Sequence, residues 1–264
     1  MDQLAQGPGI ARPSQLKLIE VGIPAYNEED TIGDVLERIF SVMEKLGEGL
    51  EFRLVVVDDG SADATGEIAR SLGAVVLSHE RNMGYGASVR TFLAYALRSG
   101  ADAVVLIDAD GQHPPEEIPK LLGPILRGEA DVVIGSRFLR GRANWIPGLK
   151  RAGMAFYSLL ASILTRGRIT DVTSGFRAMN RRAVRFVAPV YPDDYPAVGV
   201  TIYMGLRGLR LMEVPVDMRP RKSGSSYIRG EVLLSYHVKV LKYVMRALAG
   251  RLQTARQTRP RASK

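Results

Sequence analysis

Two aspartates two positions apart, Asp108 and Asp110, give the strongest indication of chemistry in this sequence. They end an apolar run that begins at Val104, and a glycine and two prolines follow them. Such a run is typical of a strand buried on both faces, and the prolines exclude further strand pairing. In a strand, residues two apart point to the same side. Two carboxylates on one side repel each other unless a positive charge lies between them, so a cation is expected there. A hard divalent cation completed by phosphate oxygens fits, although an ordinary Asp-Gly turn would also explain the pattern.

Other polar side chains stand where further strands are predicted to end. Besides the central strand that begins at Val104, strands are predicted at 16–24, 52–57, 74–78, 132–135 and 211–216. A helix is predicted between each two successive strands up to 132–135. This alternation predicts an α/β fold with a mostly parallel sheet, in which ligands bind at the carboxyl ends of the strands. The residues at those ends are Asn27, Glu28, Asp58, Asp59, His79, Asp108, Asp110, Ser136 and Arg137.

The charge is divided unevenly along the chain. Residues 1–136 carry 11 basic and 22 acidic side chains, whereas residues 137–264 carry 25 basic and 6 acidic ones. This segregation favours an anionic ligand or an anionic membrane surface as the partner of the second part. Nucleic acid is the other usual partner of a basic surface, but no nucleic-acid-binding motif is present and we expect none to bind.

Membrane contact is predicted at the surface of a bilayer. No run reaches the ~18 apolar residues that a spanning helix needs. The apolar segment 154–164 suits either a core helix or an interfacial one, and basic residues flank it on both sides. A further amphipathic helix is predicted at 231–252. The N-terminus at 1–15 is predicted to be flexible, and the basic tail at 253–264 is predicted to be disordered. We therefore expect a cytoplasmic protein that is peripherally associated with the membrane, and the absence of cysteine fits that compartment.

Common nucleotide and hydrolase motifs are absent. The glycine loop at 84–86 lacks the third glycine of a dinucleotide fingerprint, and there is neither a phosphate-binding P-loop nor a Gly-x-Ser-x-Gly elbow. Instead, the sequence resembles the family-2 glycosyltransferases with a GT-A-type fold, a Rossmann-like three-layer sandwich. Within them it is similar to the dolichyl-phosphate mannose synthase-like branch, which transfers sugars to polyprenyl phosphates. The resemblance covers about 17–230, taken as a catalytic domain over 16–230, and is carried by residues 21–29, 56–61, 108–110, 135–137, 174–177, 213–216 and 221–226.

The resemblance implies a role for each matching residue. A GDP- or UDP-sugar would contact Pro24, Tyr26, Glu28, Asp58, Gly86, Asp108, Ala109 and Asp110. Mg²⁺ or Mn²⁺ would be bound by Asp108, Asp110 and Gln112. The acceptor phosphate would be bound by Arg137, Arg151, Ser174, Arg221, Ser225 and Ser226. The catalytic set would be Asp108, Asp110, Arg137 and Arg177, and the reaction would invert the anomeric centre.

The acceptor is the least determined part of this prediction. A phosphate acceptor is already ionised near neutral pH and needs no general base, which favours polyprenyl phosphate. Many bacterial relatives have Tyr-Pro-Glu-Pro-Glu where Ala197 and Gly199 replace the two acids here, although Asp193 and Asp194 lie just upstream. Transfer to a soluble or glycan hydroxyl, and a non-catalytic member of the same fold, therefore remain alternatives.

Overall fold

The computed structural model of the chain describes residues 17–46, 49–140, 146–193, 197–219, 240–242 and 244–245. They form a seven-stranded sheet whose order is β3-β2-β1-β4-β6-β5-β7. The strands are β1 (Lys17–Ala25), β2 (Leu50–Asp58), β3 (Val75–Ser78), β4 (Ala103–Leu106), β5 (Val132–Ser136), β6 (Arg177–Asn180) and β7 (Leu211–Pro215). All neighbouring pairs are parallel except those of β6 with β4 and with β5. The predicted mostly parallel α/β fold is confirmed.

Helices cover both faces of the sheet and make three layers. They are α1 (Glu29–Lys45), α2 (Thr65–Ser71), α3 (Tyr85–Ser99), α4 (Ile118–Leu126), α5 (Gly148–Thr165), α6 (Arg181–Val187) and α7 (Ala197–Leu206). Strand β4 shows how the layers arise, because successive side chains of a strand point to opposite faces. Val105 packs in the core with α1 and α4, whereas Val104 and Leu106 pack in the core with α3 and α6.

Three elements of the second part were not expected from the sequence. Strand β6 is four residues long and inserts antiparallel between β4 and β5, and the two helices α6 and α7 follow it. A short strand carries too little periodicity to be recognised locally, and its pairing partners lie far away along the chain. Ala197 and Gly199, which replace the expected acids, are buried in the first turn of α7.

Helix α5 is the apolar helix predicted at 154–164. Met154, Tyr157 and Ala161 are buried on one side of it. Phe156, Leu159 and Ile163 are exposed on another side, so the helix is both a core helix and a source of exposed apolar surface. Among the described residues, none of the helices has the length and apolar character needed to cross a bilayer.

The predictions for the two ends of the chain fall mostly outside the described residues. This applies to the termini at 1–15 and 253–264 and to most of the predicted helix 231–252. Within that helix, Val240 and Val244 are buried against α5 and α7, whereas Leu241 and Met245 are exposed. Arg221, Ser225 and Ser226, predicted to bind phosphate, also lie outside the described residues.

Candidate active site

The Asp108–Asp110 pair lies in a tight turn after β4. The strand ends at Leu106, so neither aspartate belongs to it and the prediction from side-chain alternation is wrong. The turn is instead closed locally: the Gln112 N–H donates to Asp110 Oδ1 at 3.0 Å, and Gly111 has a φ of +71°. The Asp110 side chain is buried, whereas the Asp108 side chain is 26% exposed. The turn thus places both carboxylates at the carboxyl end of the sheet without regular strand geometry.

A buried histidine fixes the start of this turn. The ring of His113 stacks on Phe176 with centroids 5.0 Å apart, and its Nδ1 accepts a hydrogen bond from the Asp108 N–H at 3.1 Å. Burial lowers the pKa of His113 to about 4, so the ring is neutral at pH 7 and its Nδ1 can accept. The 3.6 Å approach of Nδ1 to Asp108 Oδ2 is therefore not an ion pair. Sequence reasoning assigned no role to His113.

Two further contacts connect the turn to other parts of the chain. The Tyr85 hydroxyl, at the start of α3, donates to Asp108 Oδ1 at 2.9 Å. Gln112 Nε2 donates to the Arg219 carbonyl oxygen at 3.3 Å, and the Arg219 N–H donates to the Gln112 carbonyl oxygen at 2.9 Å. The turn is thus connected both to the glycine loop and to the beginning of the basic segment that contains Arg221.

The residues predicted to bind the nucleoside lie together at the ends of β1 and β2. The parallel pairing of these strands places Ala25 opposite Asp58. Asp58 is buried, and its Oδ1 accepts from the Ser61 N–H at 3.0 Å. The Glu28 N–H donates to Thr65 Oγ1 at 2.8 Å, which joins the loop after β1 to helix α2. Tyr26 is 45% exposed in the same loop, so its ring is accessible to a ligand.

Asp59 accepts hydrogen bonds from a different segment than its neighbour Asp58. It is buried, and its carboxylate accepts from the Met83 N–H at 2.9 Å and from the Gly84 N–H at 2.7 Å. His79 Nδ1 lies 2.6 Å from Asp59 Oδ1. Asp59 therefore anchors the glycine loop, a role that the Asp-Asp sequence alone does not distinguish from ligand binding.

Gly86, predicted to contact the nucleotide sugar, lies against the protein backbone. A Cβ atom built on Gly86 would lie 2.1 Å from the Pro192 carbonyl oxygen and 2.5 Å from that of Asp193. Arg90, one turn further along α3, forms an ion pair of 2.6 Å with Asp193. Only glycine allows this close approach between the start of α3 and the segment before α7.

Arg137 forms a bidentate ion pair with the buried side chain of Asp171. Its Nε and Nη2 donate to the two carboxylate oxygens, each at 2.7 Å, and Nη2 also donates to Thr173 Oγ1 at 2.9 Å. On the other side, the Glu213 carboxylate accepts from the Asp171 N–H at 2.7 Å and from Thr170 through both its N–H and its hydroxyl. Burial raises the pKa of Glu213. These contacts fix the segment 170–174 beside the site.

Arg177 and Ser174 are positioned by that segment. Arg177 is buried at the start of β6, where it pairs with Leu106, and its Nε donates to the Ser174 carbonyl oxygen at 2.6 Å. The Ser174 hydroxyl is buried and has no hydrogen-bond partner among the described residues. Burial raises the pKa of Tyr191 to about 12, with opposing influences from nearby Arg177 and Asp108. The second part of the chain therefore reaches the Asp108 turn through Phe176, Arg177 and Tyr191.

Arg151 and Arg137 are brought to the same aromatic ring. The guanidinium carbon of Arg151, in the first turn of α5, lies 5.9 Å from the centre of the Phe138 ring, and that of Arg137 lies 5.8 Å from it. Arg137 is paired with Asp171, whereas Arg151 forms no ion pair within the part of the chain that the structure describes. Both residues were predicted to meet the acceptor phosphate.

The donor atoms of the Asp108 turn suit a hard cation. Asp108 and Asp110 supply carboxylate oxygens and Gln112 an amide oxygen, ligands that Mg²⁺ and Mn²⁺ prefer. Within the described parts of the chain, no group of three or more histidine and acidic side chains is arranged to hold a metal ion. A cation at this turn would take its remaining ligands from substrate phosphates or water, as is usual for Mg²⁺.

Comparison with known proteins decides the family. Residues 20–187 match the family described as Glycosyl transferase family 2. The chain belongs to this family. The polyprenol monophosphomannose synthase of Mycolicibacterium smegmatis is 30% identical over 262 residues, covering 95% of this chain and 94% of the relative. The dolichyl-phosphate hexose transferase of Haloferax volcanii is 36% identical over 203 residues, covering 77% of this chain and 83% of the relative.

Solved structures agree with this assignment. The glucosyl-3-phosphoglycerate synthase of Mycobacterium tuberculosis, crystallised with Mn²⁺, UDP-glucose and phosphoglyceric acid, superposes with a TM-score of 0.63 at 26% identity. The match covers 88% of this chain and 79% of that one. The predicted glycosyltransferase activity, the GT-A-type fold and the similarity to polyprenyl-phosphate sugar transferases are confirmed.

Proposed function

We propose that this family-2 glycosyltransferase transfers a sugar, with inversion, from a UDP- or GDP-sugar to a polyprenyl phosphate at the cytoplasmic face of a membrane. The observation that carries the proposal is the turn after β4, which holds Asp108 and Asp110 at the carboxyl end of the sheet, next to the ends of β1 and β2. Asp58 and Tyr26 would bind the nucleoside, and the turn would lie under the diphosphate. A divalent cation, Mg²⁺ or Mn²⁺, would neutralise the charge that develops on the departing diphosphate.

The proposed reaction needs no proton acceptor. A phosphate oxygen of the acceptor forms a bond to the anomeric carbon, while the bond from that carbon to the nucleoside diphosphate breaks and the electron pair leaves with the diphosphate. Ala197 and Gly199 stand where many bacterial relatives have acids, and both are buried in α7, where an acid would lie in the core. Without those acids to activate a hydroxyl acceptor, an acceptor that is already ionised is favoured. Arg151 lies at the same Phe138 ring as Arg137, and the Ser174 N–H donates to the carbonyl oxygen of Asp171, the partner of Arg137, at 3.3 Å. These three residues would attract the acceptor phosphate.

Polyprenyl phosphates lie in membranes, and α5 offers a surface for one. Phe156, Leu159 and Ile163 are 62%, 61% and 66% exposed on this helix. Lys150 and Arg151 precede them and Arg166 and Arg168 follow them, and all four are exposed. Exposed apolar side chains flanked by basic ones are typical of helices that lie in the interface of an anionic bilayer.

One specific observation favours a second candidate. One solved structure that superposes on this chain was crystallised with phosphoglyceric acid, a water-soluble molecule. Transfer to a soluble hydroxyl acceptor is therefore the alternative, and it would require a general base that the proposed reaction does not use.

A transfer assay with paired acceptors separates the two candidates. The protein is incubated with radiolabelled UDP- and GDP-sugars, Mg²⁺ or Mn²⁺, and either undecaprenyl phosphate in detergent or 3-phosphoglycerate. Label extracted into the organic phase supports the polyprenyl-phosphate reaction, and label in a charged water-soluble product supports the alternative. Release of free sugar alone would contradict both.

Vesicle co-sedimentation tests the membrane surface separately. We expect binding to vesicles rich in anionic lipid, weakened by salt and by truncation after Leu252. Replacing the three exposed residues of α5 by serine should weaken it further. Phe186→Ser with Val190→Ser is the matched control, because those two side chains are exposed elsewhere. Protein that stays in the supernatant at low salt would remove the membrane from the proposal.

A further inference from the structure

The contact between Tyr85 and Asp108 joins two elements that are distant in sequence. Tyr85 is the first residue of α3, and its hydroxyl donates to Asp108 Oδ1 at 2.9 Å across 23 residues. Its ring is partly buried against the core on the α3 side of the sheet. The hydroxyl therefore reaches the carboxylate from a side chain whose ring is held by packing.

The backbone on both sides of Tyr85 is fixed independently. Before it, the Met83 and Gly84 N–H groups donate to the buried carboxylate of Asp59, and Gly84 has a φ of +96°. After it, Gly86 lies against the Pro192 carbonyl, so the first turn of α3 cannot shift in that direction. The place of the Tyr85 hydroxyl is thus set by the fold and not by Asp108.

Asp108 is also restrained from a second direction. Its N–H donates to His113 Nδ1, and the His113 ring is stacked on Phe176. The main chain of Asp108 is thus held by His113, and one oxygen of its side chain is held by Tyr85. Together these contacts fix the direction of the Asp108 carboxylate.

We propose that Tyr85 is a positioning residue for cation binding, and that its hydroxyl orients the Asp108 carboxylate for the divalent ion and the diphosphate. This inference rests on the proposed function, because it assigns the cation to the Asp108 turn. Hydrogen bonds from neighbouring groups commonly orient metal-binding carboxylates, and removing such a partner typically weakens metal binding about 10- to 100-fold. Tyr85 itself touches neither the cation nor the substrate in this proposal.

The test compares Tyr85→Phe with Tyr95→Phe. Both substitutions remove one hydroxyl from α3, but Tyr95 lies ten residues along the helix and interacts with Arg53. Free Mn²⁺ is measured by electron paramagnetic resonance during titration of each protein in the presence of UDP and, separately, of GDP. We expect about a 10- to 100-fold weaker Mn²⁺ affinity for Tyr85→Phe and less than a twofold change for Tyr95→Phe.

Three outcomes bear on the inference. Unchanged Mn²⁺ affinity in Tyr85→Phe, with a wild-type protein that binds Mn²⁺, would overturn the inference and leave the proposed function intact. A wild-type protein that binds no Mn²⁺ with either nucleotide would overturn both. If Tyr85→Phe also lowers the unfolding midpoint, we compare the midpoints of Tyr85→Phe, Asp108→Asn and the double variant. Non-additive changes in the midpoint support the inference that Tyr85 acts through Asp108, and additive changes contradict it.

Discussion

Replacing Arg137 by alanine should destabilise the fold by about 3 kcal/mol, at the lower end of the ~3–5 kcal/mol range for breaking a buried ion pair. The Asp171 side chain is 0% exposed and that of Arg137 is 17% exposed, so truncation leaves a buried carboxylate without its cation. The lower end applies because the Arg137 N–H, at 3.1 Å, and the Thr173 hydroxyl, at 3.2 Å, still donate to Asp171 in the variant.

Urea unfolding at pH 7, followed by circular dichroism, measures this loss. Arg137→Lys keeps the charge but not the two parallel hydrogen bonds, so an intermediate loss is expected. Arg140→Ala is the control, because Arg140 and Asp217 are 3.8 Å apart and both about half exposed, a pair worth at most about 1 kcal/mol. A loss below about 1 kcal/mol for Arg137→Ala would show that the Arg137–Asp171 ion pair does not stabilise the fold as a buried pair. Nucleotide affinity should change little, since Arg137 lies away from β1 and β2.

Three further predictions concern the site and its support. Asp110→Asn should abolish metal-dependent turnover without lowering the unfolding midpoint; near-normal turnover would remove Asp110 from the cation site. Gly86→Ala should cost at least ~1–3 kcal/mol in urea unfolding, because its Cβ would overlap the Pro192 backbone. Gly153→Ala, in α5 with nothing within 4 Å, should instead gain up to about 1 kcal/mol. The pKa of Glu213 is raised above 4.5 in the native state, so between pH 4.5 and that native pKa the native state keeps a proton that the unfolded chain has lost. The free energy of unfolding should therefore fall as pH rises above 4.5. Glu213→Gln should reduce the slope of the unfolding free energy against pH above 4.5. An unchanged slope would contradict a raised pKa for Glu213.

The sequence was most informative where one local pattern determines the structure. The apolar run ending at Asp108 predicted a buried central strand, and the alternation of strands and helices predicted the sheet. Strand ends in a parallel sheet meet at one edge, so the sequence alone assigns Asp58, Asp108 and Arg137 to that edge.

The contacts that hold the site together could not be predicted in this way. Arg137 and Asp171 are 34 residues apart, and Thr170 and Glu213 are 43 apart, so neither pair has a local pattern. Strand β6 depends on pairing with β4 and β5, which four residues cannot indicate alone. The two adjacent aspartates 58 and 59 look alike in the sequence, and only their contacts separate them: Asp59 accepts from the glycine loop, whereas Asp58 accepts from Ser61.

Locating the cation and the diphosphate in a crystal structure tests the proposed active site most directly. Crystals soaked with MnCl₂ and with UDP or GDP are measured at a wavelength where manganese scatters anomalously. We expect a manganese peak within bonding distance of the Asp110 carboxylate and of the diphosphate, with the nucleoside beside Asp58. A peak away from the Asp108 turn, or a nucleotide bound elsewhere on the sheet, would contradict the proposed active site.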